Sequence, residues 1–536
     1  MLLFFFRVAT SQYVKVAPEK PKLVIGIIVS NMRGDIIQRY NNNLCEEGIK
    51  MLAENGKNCL YTRFNYLISG DGIAQATILT GANPSVHGIV GREWYEILKE
   101  NVIGSIEDEN YKTIGGSYDA GRYSPSKLLT TTFADELRLA TNFKSKVFSV
   151  SMDATHSIFG GGHTANAVYW YDVSTGNFVS SSFYINNLPD WVNEFNNKKF
   201  SDIYIEKIWE PLLPIEKYNT ILPDNNQYEE GFKGKNSFPY NISELSKVNK
   251  RKYDYEILKM TPFGNNLLKD FATSLIVSEE LGKDDFTDFL MISFTATEYI
   301  GKLFGYYSIE FEDALLRLDR DIAHFIKFVE NYIGKENVLI FLTSDKGIAP
   351  TPKFLSENKM PSGYFNSNGA MSLLNIALNN IYGKGKWIKG YHAQQIYLNK
   401  TLIEDSKLSL KDFQEYVAQF MLQFTGVANA IPSYILQRVE YNDGILKKIQ
   451  NSFNPKTGGD VIIVLKPGWV EKNTTSLPSQ SAFDEGIPLI WYGWKINRGI
   501  LYKLVDLTDI APTISSILQI SSPNGCTGRP IFEIFQ

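Results

Sequence analysis

The chain alternates between short, wholly apolar runs and longer stretches in which apolar residues recur every three or four positions. Lys22-Leu-Val-Ile-Gly-Ile-Ile-Val-Ser30 is a continuous run of the kind required by a strand buried on both faces. Similar runs recur at 146–151, 289–294, 338–343 and 488–492. The pattern between them is helical. A helix is predicted over roughly 36–54, and the clearest one places Phe311, Leu315, Leu318, Ile322, Phe325 and Val329 on one stripe, with Ser308 as its cap and Gly334 as its stop. Strands that alternate with helices predict a mostly parallel central sheet covered on both faces, a three-layer α/β/α sandwich. In such folds, active sites collect at the carboxyl ends of the strands, which here means Ser30, residues 293–298 and residues 343–346.

Two stretches depart from this rhythm. Residues 198–262 are rich in Asn, Lys, Tyr and Pro and read as an insertion with little regular pattern; residues 384–470 carry β, α and β signals of their own. Both are expected to be cap-like elaborations of one domain spanning 21–536. Residues 1–11 read as the remnant of a signal peptide: an apolar run followed by Ala9-Thr10-Ser11, a small-x-small cleavage signature. Export follows as an expectation, to the periplasm or surface of a Gram-negative bacterium. No stretch reaches the ~20 apolar residues that a spanning helix needs.

Composition narrows the partners. A formal charge of −4 with scattered Lys and Arg argues against nucleic acid, and 44% hydrophobic with 21% charged residues is ordinary globular composition. Cys45, Cys59 and Cys526 are too few for a disulfide scaffold, match no metal spacing and allow at most one bridge, whose pairing stays open.

Several collinear motifs resemble the alkaline phosphatase superfamily, most of all its phosphate-irrepressible group, with nucleotide pyrophosphatase/phosphodiesterases more distant. They are Ile27-Ile-Val-Ser-Asn-Met-Arg-Gly-Asp35, Leu79-Thr-Gly-Ala-Asn-Pro-Ser-Val-His-Gly-Ile89, Trp94-Tyr95, Leu128-Leu-Thr-Thr-Thr132, Asp135-Glu-Leu-Arg-Leu-Ala-Thr-Asn142, Trp491-Tyr-Gly-Trp494 and Asp509-Ile-Ala-Pro-Thr513. The resemblance implies an alkaline phosphatase-like fold over nearly the whole chain. It also implies a centre in which active relatives hold two Zn²⁺ with Asp and His and attack phosphorus with a Thr or Ser oxygen.

The matching positions hold other residues. The first Asp is Ser30, the nucleophile position holds Asp71, and the following His is Gln75. Asp-x-x-Gly-His reads Glu298-Tyr-Ile-Gly-Lys302, Asp-His-Gly reads Asp345-Lys346-Gly347, and the final His aligns with Gly486. In the phosphate shell, Lys and Arg are replaced by Asp153 and Thr155, and Asn by Arg92. A lysine ammonium has no lone pair for a metal. The sequence therefore predicts a centre without catalytic residues or metal, in which Lys302 pairs with Glu298, and Lys346 with Asp71 or Asp345. Asp71 and Asp153 are expected to repel a phosphate dianion.

On this reading the chain is an inactive binding or scaffolding protein outside the cytoplasm, with a protein partner or small ligand. Its alternatives are an active phosphomonoesterase or phosphodiesterase with an atypical metal site, a single hard cation on Asp71, Glu298 and Asp345, and a structural subunit of a cell-envelope complex. Of the five histidines, His87 and His163 read as framework and His324 as solvated. His392 has no assigned role, and His156, three residues after Asp153, is the one placed to matter.

Overall fold

The computed structural model describes residues 19–67, 71–96, 99–248, 252–472 and 485–536. The signal-peptide reading falls outside them. Eleven strands form the central sheet: β1 (Leu23–Val29), β2 (Lys57–Arg63), β3 (Thr113–Ile114), β4 (Val147–Ser151), β5 (Ala167–Asp172), β6 (Asn177–Ser181), β7 (Asp288–Phe294), β8 (Val338–Thr343), β9 (Glu485–Ile487), β10 (Leu489–Gly493) and β11 (Gly499–Asp506). They run in the order β9-β2-β10-β8-β1-β7-β4-β5-β6-β3, with β11 paired to the other side of β2.

The middle of the sheet is parallel: β1 pairs β7 and β8, β7 pairs β4, and β4 pairs β5. Beyond that block, β10 and β6 run antiparallel. Each apolar run divides its side chains between the two helical layers. On β1, Leu23, Ile25, Ile27 and Val29 join one apolar cluster, and Val24 and Ile28 join the other. Gly26 is small for a reason, because a Cβ there would lie 2.5 Å from Cζ of Phe341.

The helices of the core include α1 (Ile73–Thr80), α2 (Phe133–Ala140), α3 (Ala154–Gly161), α4 (Pro262–Ser278), α5 (Ala296–Phe304), α6 (Ile309–Ile333) and α7 (Ile510–Leu518). In α6 the predicted stripe is buried, Ser308 Oγ accepts the Phe311 amide at 3.0 Å, and Gly334 ends the helix at φ 90°. The opposite side of α6 is buried too, because residues 209–240 lie across it. Asp313 accepts from the Trp209 indole, the Leu212 amide and the Tyr218 hydroxyl, and Glu310 accepts from Tyr240. The single helix predicted over 36–54 is instead two, Ile36–Arg39 and Ile49–Asn55. The reason is long-range. Asp319 of α6 accepts the amides of Cys45 and Ile49, both at 2.6 Å, and so fixes the break and caps the second helix.

The 384–470 stretch contains a separate four-stranded antiparallel sheet, Ile388–His392, Gln395–Leu398, Val461–Leu465 and Val427–Pro432 in spatial order, with its own apolar cluster. The three cysteines are free. Among the described residues, no helix is long and apolar enough to cross a membrane.

Candidate active site

Four parallel strands deliver their carboxyl ends to one place, and each contributes a polar group. After β1 comes Ser30, whose buried hydroxyl donates to Asp345 Oδ2 at 2.7 Å. After β8 comes the turn 344–346. Ser344 Oγ donates to the Val29 carbonyl and accepts the Met32 amide, which clasps this turn to the end of β1. After β4, Asp153 precedes α3 and His156 lies in its first turn. After β7, α5 opens with Glu298 and carries Lys302 one turn on.

Asp71 arrives from another direction, just before α1. Gly72 makes this turn at φ +83°, a conformation that favours glycine, and a Cβ on it would lie 2.4 Å from Thr155 Cγ2 and 2.7 Å from Phe159 Cδ2. The close approach of α1 to α3 thus sets the position of Asp71. Thr155 serves as packing here.

Two linked groups of charges result. In the first, Lys346 Nζ lies 3.0 Å from Asp71 Oδ1 and 2.8 Å from Glu298 Oε2, and Lys302 Nζ lies 3.0 Å from Glu298 Oε1. Arg92, at the mouth, brings its guanidinium to 3.7 Å from Asp71 Oδ2. Burial alone would raise the Asp71 carboxyl, but Lys346, His156 and Lys302 hold it well below the usual carboxylate range. Burial would likewise lower the Lys346 ammonium, yet Asp71, Glu298 and Asp345 keep it well above its ordinary value.

In the second group, His156 Nε2 lies 3.1 Å from Asp345 Oδ2, with both residues buried. Burial disfavours the imidazolium, but Asp345, Asp153 and Asp71 outweigh it and raise the His156 pKa. Asp153 accepts hydrogen bonds from Lys259 and Tyr299. Against the effect of burial, Lys259 and His156 lower its carboxyl to about 2. Lys259 comes from the irregular 198–262 stretch, where neither spacing nor motif marked it. Tyr299 was hidden inside the Glu298–Lys302 motif.

The expected pairings of Lys302 with Glu298 and of Lys346 with Asp71 are present; Asp345 turns to His156 and Ser30 instead. Asp71 and Asp153 are not bare negative charges facing the pocket, because each has cations beside it. Among the other sequence-singled positions, Gln75 is fully buried, and Gly486 has φ +91° and no side chain to offer. His87 Nε2 lies 3.1 Å from Thr77 Oγ1, His163 bonds Asp135, and His324 is exposed.

One arrangement was not visible in the motifs. His156, Glu298 and Asp345 each place a ligating atom within 4.8 Å of the others. His156 Nδ1 and Asp345 Oδ1 are buried without a hydrogen-bond partner. One imidazole and two carboxylates are a donor set suited to a divalent ion such as zinc. The fit is to one ion. Ser30, Lys302, Lys346 and Gly486 supply no further imidazole or carboxylate.

The profile of the family described as type I phosphodiesterase / nucleotide pyrophosphatase matches residues 24–487. The chain belongs to that family. Within it, the chain is 36% identical to "Alkaline phosphatase PafA" of Elizabethkingia meningoseptica over 528 residues, 97% of this chain and 95% of the relative. It is 35% identical to "Alkaline phosphatase PhoV" of Synechococcus elongatus over 521 residues, 96% and 93% of the two chains. The crystal structure of wild-type PafA matches with a TM-score of 0.91 at 35% identity, covering 97% of this chain and all of that one. The alkaline phosphatase-like α/β fold and the superfamily resemblance are thereby established.

This family member is not the inactive scaffold that its motifs suggested. PafA and PhoV, alike over nearly the whole chain, are named as phosphatases, and the donor cluster replaces the expectation of a centre without metal. The physical reason for the correction is spatial. Each motif position taken alone shows one substituted residue, whereas a ligand set is assembled from different strand ends, and the imidazole enters from α3.

Proposed function

We propose that this protein is a phosphoric ester hydrolase with an atypical metal site, working outside the cytoplasm on a small phosphate ester. The observation that carries this reading is the His156–Glu298–Asp345 donor cluster beside Lys302 and Lys346, at the strand ends where relatives named alkaline phosphatases share the fold. His156, Glu298 and Asp345 would hold one divalent ion, which as a Lewis acid withdraws charge from a phosphoryl or leaving oxygen.

The chain's own cations do the remaining orienting. Lys302, Lys346 and Arg92 line one side and offer N–H donors to phosphoryl oxygens, stabilising the charge that develops there. On the other side, Lys259 and Tyr299 fix Asp153, and with it the start of α3 that carries His156. The 198–262 stretch therefore acts as a cap-like insertion that completes the site, and 384–470 as a second elaboration. Asn451 and Ser452 of the latter bond the backbone of Asn65 and Leu67, on the chain leading to Asp71. Export is supported by the apolar run and Ala9-Thr10-Ser11 at the amino end.

The test is metal content together with turnover of p-nitrophenyl phosphate and bis-p-nitrophenyl phosphate by the pure protein supplied with Zn²⁺. The expected result is one ion per chain and turnover of at least one ester, with both lost in His156→Ala. Turnover of neither ester, with no bound metal, overturns the reading.

A further inference from the structure

We propose that Asp71 is the covalent nucleophile of this site and carries the phosphoryl group as an aspartyl phosphate. The inference rests on the ester-hydrolase reading and goes beyond it, because it assigns the attacking atom. Asp71 is held at the amino end of α1 by the Gly72 turn, between Lys346 and Arg92, with its side chain 15% exposed. One carboxylate oxygen faces each cation, at 3.0 and 3.7 Å. Those cations therefore lie where phosphoryl oxygens would come as an O–P bond forms.

Two hydroxyls of the site are otherwise engaged: Ser30 Oγ donates to Asp345, and Thr77 Oγ1 is buried against His87. A hydroxyl also needs a base or metal to become a nucleophile, whereas a carboxylate is already one. Nor is Asp71 required merely as a counterion. Lys346 already has Glu298 at 2.8 Å, and the Arg92 side chain is 67% exposed and needs no buried partner.

The step balances with the ester and water alone. An Asp71 carboxylate oxygen forms a bond to phosphorus as the ester P–O bond breaks, its electron pair leaving on the alcohol oxygen, which takes a proton from water. The resulting hydroxide then attacks phosphorus and breaks the acyl-phosphate bond. Asp71 returns as carboxylate and phosphate is released.

The experiment traps the intermediate. Zn²⁺-supplied protein turning over p-nitrophenyl phosphate is quenched in acid and reduced with borohydride, which converts an aspartyl phosphate to homoserine; peptide mass then reports the position. Conversion at residue 71, with turnover lowered more than about a thousandfold in Asp71→Asn, is the expected result. A phosphoryl group found on a serine or threonine, or undiminished turnover in Asp71→Asn, overturns the proposal. A second readout needs no turnover: beryllofluoride, a mimic of an acyl phosphate, should give a bound fluorine NMR signal in the parent protein and none in Asp71→Asn. If no ester is turned over but that signal behaves as expected, the ester-hydrolase reading fails and the reactivity of Asp71 stands. If the bound signal is absent from the parent or persists in Asp71→Asn, the nucleophile assignment fails.

Discussion

Lys346 holds an ammonium group that is 8% exposed between Asp71 and Glu298, with Glu298 itself 4% exposed. Substituting Lys346→Met removes the cation and leaves two carboxylates facing each other in a poorly hydrated pocket. The expected cost is about 3–5 kcal/mol, read from urea unfolding, and a shift of less than ~1 kcal/mol would mean that the pocket is wetter than the side-chain exposures indicate. Glu310 tells the opposite story. It is fully buried and its Oε2 has no partner, and burial pushes its carboxyl up from 4.5 to about 8. A carboxyl that is raised on folding favours the native state below its unfolded value, and that contribution is lost as pH climbs through the folded one. Stability should therefore fall between about pH 4.5 and pH 8, by up to a few kcal/mol from this group. Glu310→Gln should flatten that part of the Tm–pH curve. An unchanged slope would show that Glu310 is already ionised at neutral pH.

Among the elements, the turn before α1 has no room for a side chain. Gly72→Ala adds a methyl group in a left-handed conformation and directs it at Thr155 and Phe159. The expected loss is about 1–3 kcal/mol, with kcat falling more than stability because Asp71 moves with the turn; unaltered kcat would disconnect that turn from the chemistry. Elements were also what the sequence showed best. The runs at 23–29 and 338–343 could only be interior strands, and the α6 stripe with Ser308 and Gly334 gave that helix both ends. The helix expected over 36–54 failed because Asp319, hundreds of residues away, supplies its break. The site was legible in the same uneven way. Glu298 and Lys302 lie four residues apart and pair within one helix, so spacing sufficed. His156 and Asp345 are 189 residues apart, and Lys259 comes from a stretch with no periodicity, so only the folded sheet brings them together.

For the whole molecule, an ion that binds only the native site links metal to stability. Zn²⁺ at a hundredfold excess over its Kd should stabilise the fold by about 2.7 kcal/mol, raising Tm in the parent protein but not in His156→Ala. An equal rise in both would place the ion elsewhere. The last consequence concerns charge balance. Asp71, Asp153, Glu298 and Asp345 are met by Arg92, Lys259, Lys302 and Lys346, so with these side chains in balance the bound divalent ion is the charge that an approaching anion meets. Long-range steering grows with uncompensated charge and fades with added electrolyte. Capture of a phosphate ester here should thus owe its long-range attraction to that ion, and kcat/KM should fall between low and physiological ionic strength; an unchanged value would mean that capture relies on contact alone. An enzyme built this way would lose capture rate in brackish or saline surroundings, where one that recognises its ester by contact alone would keep it.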